Sequence, residues 1–96
     1  MAPNQANQVP QTTDNEITLN DGRIVPSARC LQDENRLFVY VDNMGIKEGF
    51  DMFWQNTETI CFRSFGNETV YSGYSELYSV SEQRGVCNIA LKKGWS

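Results

Sequence analysis

The chain has 96 residues and a mass of 10.9 kDa, enough for one small domain built around one core. Hydrophobic residues make up 40%, charged residues 21%, and mean hydropathy is −0.50, so no run is long and apolar enough for a membrane-spanning helix. A formal net charge of −4 disfavours direct nucleic-acid binding, and the absence of histidine removes imidazole as a base, a metal ligand or a near-neutral pH switch.

Residues 1–16 are dominated by Asn, Gln, Thr and Pro, with Val9 the one large apolar side chain after Met1, and they read as a flexible polar arm. The remainder, 17–96, reads as a single β-rich domain. Ile17 and Leu19 alternate with Thr18, Asp21-Gly22 offers a two-residue type I′ turn, and Arg23-Ile24-Val25 returns. That loop would set Leu19 opposite Ile24 and Ile17 opposite Pro26, on an edge strand because proline cannot donate to a ladder. A second hairpin is expected over 28–31 and 36–41, closed by the polar segment 32–35. Leu37, Val39 and Val41 would share one face, with Phe38 and Tyr40 on the other. A strand apolar on both faces belongs at the centre of a sheet or under a cover.

The period then lengthens. Ile46, Phe50, Phe53 and Trp54 fall at i, i+4, i+7 and i+8, the core-facing stripe of a short helix around 45–55, with Asp42 or Asn43 as its cap and Trp54 packed into the core. Gly45 and Gly49 weaken such a helix by roughly 1 kcal/mol each, so it depends on packing against the sheet. Residues 57–65 read as a strand with Ile60 and Phe62 on one face, followed by a turn at Gly66-Asn67 and a return over 68–71. Residues 77–80 and 86–91 form the last hairpin around the polar 81–85, with Cys87 pointing inward. The expected fold is mainly β (α+β): a small curled antiparallel sheet or barrel of about six to eight short strands, with one helix covering a face or an end.

The cysteines Cys30, Cys61 and Cys87 are odd in number and lack a Cys-x-x-Cys pair, so they read as reduced, buried thiols rather than a disulfide framework or a zinc site. The opening Met-Ala-Pro-Asn-Gln does not read as a secretory signal, so Asn67-Glu68-Thr69 fits a glycosylation sequon only formally. No nucleophile elbow, phosphate loop, dinucleotide fingerprint or metal-ligand cluster is present, so we expect no enzymatic activity and no cofactor.

Two features bear on a protein partner. Residues 1–58 carry nine acids against four bases and residues 59–96 three against four, with Asp33-Glu34 the longest acidic run; this reads either as a solvated surface, the commoner case, or as an acidic face for a basic partner that includes Asp33 and Glu34. Tyr71, Tyr74 and Tyr78 cluster in a Ser- and Gly-rich stretch, and Trp95 lies one residue from the end; such amphipathic rings serve protein interfaces, or else cover the sheet's own edge or close the core.

The early strand with Asp21-Gly22, the Phe-rich helix ending near Phe53, the run Val70-Tyr71-Ser72-Gly73-Tyr74-Ser75-Glu76-Leu77 and the closing Val86-Cys87-Asn88-Ile89-Ala90-Leu91-Lys92 together resemble small uncharacterised proteins encoded by phages and prophages of Gram-positive bacteria. The resemblance spans about residues 17–93. It implies a viral setting, in the virion or the host cytoplasm, and a non-catalytic protein that binds other proteins. The foremost expectation is a minor tail, baseplate or capsid-associated component. The alternative is an inhibitor of a host defence system, anti-CRISPR or anti-restriction, that binds through the acidic half. A small carbohydrate- or ligand-binding module using exposed tyrosines is a third reading.

Overall fold

The computed structural model describes residues 15–54 and 58–94. They form eight strands in two four-stranded antiparallel sheets and one short helix. The strands are β1 (Glu16–Thr18), β2 (Ile24–Pro26), β3 (Ala28–Asp33), β4 (Arg36–Asp42), β5 (Thr59–Ser64), β6 (Asn67–Ser72), β7 (Glu76–Gln83) and β8 (Val86–Lys92). The helix α1 (Ile46–Phe53) joins β4 to β5. The first sheet runs β2-β1-β5-β6 and the second β3-β4-β8-β7, so the expected mainly β chain with one helix is what forms, as two sheets sharing one core. Each half of the chain gives one hairpin to each sheet. The inner strands β1 and β5 meet in the first, β4 and β8 in the second.

Local sequence explains the hairpins. Phe65-Gly66 and Arg84-Gly85 both take positive φ at each position, the geometry of a two-residue type I′ loop. The Asp21-Gly22 hairpin departs from the expected two-residue loop. Gly22 donates its N–H to the Leu19 carbonyl and Leu19 donates to the Arg23 carbonyl, with only Gly22 at positive φ, so the loop has three residues. That moves the register by one: Ile17 faces Val25 and Thr18 faces Ile24. Val25 is therefore buried while Ile24 is exposed, because a one-residue slip exchanges the faces of a strand. Pro26 does lie on an edge strand, opposite Glu16. The other loops are shorter than the polar stretches suggested: β3 continues to Asp33, β7 to Gln83, and Phe65-Gly66 rather than Gly66-Asn67 forms its turn.

The inner rows stack as expected. Leu37, Val39 and Val41 on β4 face Leu91, Ile89 and Cys87 on β8, all buried, and Phe38 and Tyr40 point to the outer face of this central strand. Ile17, Val25 and Ile60 supply the core side of the first sheet. The described part of the segment read as an arm, Asn15 and Glu16, joins the domain: Ala28 donates its N–H to the Asn15 carbonyl, and Glu16 opens β1. The rest of that segment, residues 1–14, lies outside the described residues.

The helix is where the core expectation fails. Its cap is Gly45 with no side-chain hydrogen bond, not Asp42 or Asn43; Asp42 ends β4 and pairs with Arg29, and Asn43 donates its N–H to the Gly85 carbonyl. Gly49 and Phe53 are the buried positions of α1. Gly49 lies on β7 and β8, where an added Cβ would come within 2.4 Å of the Cys87 sulfur. The sheet thus meets the helix at its smallest residue. Ile46, Phe50 and Trp54, expected to pack inward, turn their flank outward instead.

Candidate protein-binding surface

On that flank the rings of Phe50 and Trp54 stack, with centroids 5.1 Å apart and planes 19° from parallel. Their exposures are 42% and 52%, and Ile46 is equally open at 52%. The three sit one turn apart, the spacing that lines side chains along a helix. They form one wall of an apolar groove enclosing about 450 Å³, whose other wall and floor are Leu77, Tyr78, Ser79 and Val80 of β7, with Lys47 at its rim. β7 is an edge strand, so the groove runs beside a backbone edge that no strand covers among the described residues. A large apolar helix face beside an open strand edge binds peptides and proteins by burying rings and adding backbone hydrogen bonds.

The tyrosines expected to form one patch separate into two environments. Tyr71 on β6 is half-buried, and Tyr74, in the link between β6 and β7, is only 1% exposed. Their rings meet edge to face at 6.4 Å, Gln32 donates a side-chain N–H to the Tyr74 hydroxyl, and the Lys93 ammonium lies 4.9 Å from the Tyr74 ring. Tyr74 is accordingly a core residue, which corrects the expectation that it lines a binding face. Burial raises the Tyr71 hydroxyl above its usual pKa, and the neighbouring Cys30 and Tyr74 act in the same direction.

Tyr78 is 51% exposed for a specific reason. Leu77 faces Leu91 and Ser79 faces Ala90, leaving Tyr78 as the extra residue of a β-bulge. Its ring is flanked by the Arg36 guanidinium at 5.0 Å and the Lys92 ammonium at 5.3 Å. Asp33 and Glu34 lie at the exposed tip of the β3–β4 hairpin, where Asn35, Arg36 and Lys92 complete a shallow polar depression. The acids there stand among cations and make no acidic face of their own. Trp95 lies outside the described residues.

The three thiols share one electrostatic direction. Burial pushes Cys30 up to about 12, and burial also raises Cys61 and Cys87, with Glu68 adding to the first and Glu82 and Glu48 to the second. They are protonated thiols at neutral pH, poorly suited to attack or to hold a metal. Among the described residues no three His, Cys, Asp or Glu side chains gather as metal ligands, and no helix is long and apolar enough to cross a membrane.

The helical stripe makes Ile46, Phe50 and Trp54 visible in the sequence, but their period alone places them in the core. The signal that separates them is Gly49, since a glycine inside an amphipathic helix marks the side of closest backbone approach. Compared with models of known protein families, with curated proteins and with solved structures, this chain matches none.

Proposed function

We propose that the chain is a non-catalytic protein-binding subunit that engages its partner through the groove between α1 and β7. The observation that carries this reading is the stacked Phe50–Trp54 pair, held half-exposed on α1 beside a strand edge that is open among the described residues. Aromatic rings of this kind dominate binding energy in interfaces because each buries a large area at small entropic cost. The resemblance to phage and prophage proteins supports placing the chain in a virion, as a minor tail, baseplate or capsid-associated component. The alternative, an inhibitor of a host defence system binding through the acidic half, would use a different surface, one in which Asp33 and Glu34 stand beside Arg36 and Lys92.

The test is incorporation into particles. Virions made with wild-type chain and with the Phe50→Ala/Trp54→Ala variant are purified and analysed by mass spectrometry, after circular dichroism has established that the variant folds. Wild-type chain should be present and the variant depleted by more than about tenfold. Absence of wild-type chain from particles sinks the virion role, and equal incorporation of the variant sinks the groove.

A further inference from the structure

Resting on that reading of the groove, we infer that its occupant is a second copy of this chain: two β7 edges pair antiparallel about a two-fold axis at Val80, and the two α1 helices pack against each other above them.

Three independent features of the fold converge on this arrangement. The first concerns the edges. Among the described residues the open strands are β2, β6, β3 and β7. β2 is three residues long and ends in Pro26, β6 carries Glu68, and β3 carries Arg29 and Asp33, all devices that discourage another strand from adding. β7 carries Glu76 and Glu82 near its two ends and the bulge at Tyr78, but it is the longest strand at eight residues and its run from Leu77 to Ser81 has neither charge nor proline.

The second is the direction of the backbone groups. Gln83 and Val86 flank the two-residue loop and close the β7–β8 ladder as a hydrogen-bonded pair. Alternation then directs the N–H and C=O of Ser81 and Ser79 toward β8, and those of Glu82 and Val80 away from it. Val80 set opposite its own copy would exchange two hydrogen bonds, with its side chain on the groove floor against another valine. A register centred on Ser81 would set Glu82 against Val80 beneath the aromatic pair. The Val80 register avoids this. It also brings the Glu76 end of one strand beside the Arg84 corner of the other, which parallel pairing would not do.

The third is the helix spacing. α1 lies over the β7–β8 pair, since Gly49 adjoins Val80, Cys87 and Ile89 at once. With strands about 4.8 Å apart, the helix axis sits roughly half a spacing inside β7 and the two-fold axis half a spacing outside it, so the two helices come about 10 Å apart. Packed helices sit about 8–10 Å apart. The flank each turns to the other is Ile46, Phe50 and Trp54, the apolar surface left open among the described residues. The product is a continuous eight-stranded sheet whose inner face is covered at its centre by the helix pair and on either side by the β2-β1-β5-β6 sheet of each copy.

The test uses the full chain in sedimentation equilibrium and in hydrogen exchange read residue by residue. Wild-type chain should sediment at twice 10.9 kDa. The Phe50→Glu/Trp54→Glu variant, shown by circular dichroism to keep its strand signal, should sediment as a monomer. In the dimer the amides of Val80 and Glu82 should exchange slowly, as those of Ser79, Ser81 and Gln83 do. In the variant only Val80 and Glu82 should become fast, by more than about tenfold. Val80→Lys provides a second disruption that leaves the helix untouched, and it too should give monomers. Wild-type chain that stays monomeric at about 100 µM overturns the inference, as does a dimer that survives both variants or fast exchange of Val80 and Glu82 within the dimer. If monomeric wild-type chain still enters particles in a Trp54-dependent way, the groove binds a different protein and the self-pairing alone falls. If neither dimer nor incorporation depends on the groove, both readings fall together.

Discussion

Gly49 shows how one missing methyl group sets the position of a whole element. Alanine is the better helix former by about 1 kcal/mol, yet its Cβ would fall 2.4 Å from the Cys87 sulfur, well inside contact distance. Gly49→Ala should therefore destabilise the fold by about 1–3 kcal/mol in urea titration. Gly49→Ala/Cys87→Ala should lose less than the sum of the two single changes, because removing the sulfur removes the clash. The thiols give a second prediction at this scale. A group held protonated in the fold makes the native state bind more protons than the unfolded one, so stability falls as pH rises from the ordinary thiol value of 9.0 toward the 12 of Cys30. Raised Cys61, Cys87 and Tyr71 act with the same sign. Melting temperature should drop through this window, and Cys30→Ala should flatten the drop. Near pH 8 the folded chain should react with an aromatic disulfide reagent far more slowly than in denaturant.

Among the elements, α1 divides its apolar residues between two tasks. Phe53 is fully buried, so Phe53→Ala should cost about 3–5 kcal/mol by leaving a cavity. Trp54 is half-open, so Trp54→Ala should change the stability of the monomer by less than about 1 kcal/mol while weakening association. Equal losses at the two positions would show that the stack packs on the core. The hairpins were readable in proportion to how far their turn chemistry is local. Residues bearing the type I′ loops at Phe65-Gly66 and Arg84-Gly85 need positive φ, so alanine at Gly66 or Gly85 should cost about 1–2 kcal/mol. At Asp21-Gly22 the same kind of dipeptide sits one place later, in a three-residue loop. Both loops use glycine at positive φ, and only the long-range burial of Val25 rather than Ile24 selects between them.

At the scale of the molecule, two sheets rather than one curled sheet follow from the links β2–β3 and β6–β7. Ser27 at φ 56° and Gly73 at φ 86° turn the chain sharply there, so each pair of hairpins divides between the sheets. Far-ultraviolet circular dichroism should be dominated by strand, with helix far below the globular average of about one-third. The chain by itself determined strand and helix identity, the buried faces of β4 and β8, the inward Cys87 and the edge position of Pro26, because residue alternation and proline's missing donor act within a few residues of themselves. Tertiary structure alone decided that Tyr74 is core while Tyr78 is bulged outward, and that Ile46, Phe50 and Trp54 line a groove. A hydrophobic period records that a face avoids water. It does not record which neighbour covers that face, and here the close seat of Gly49 on β7 and β8 gave the sheet one flank of the helix and left the other uncovered.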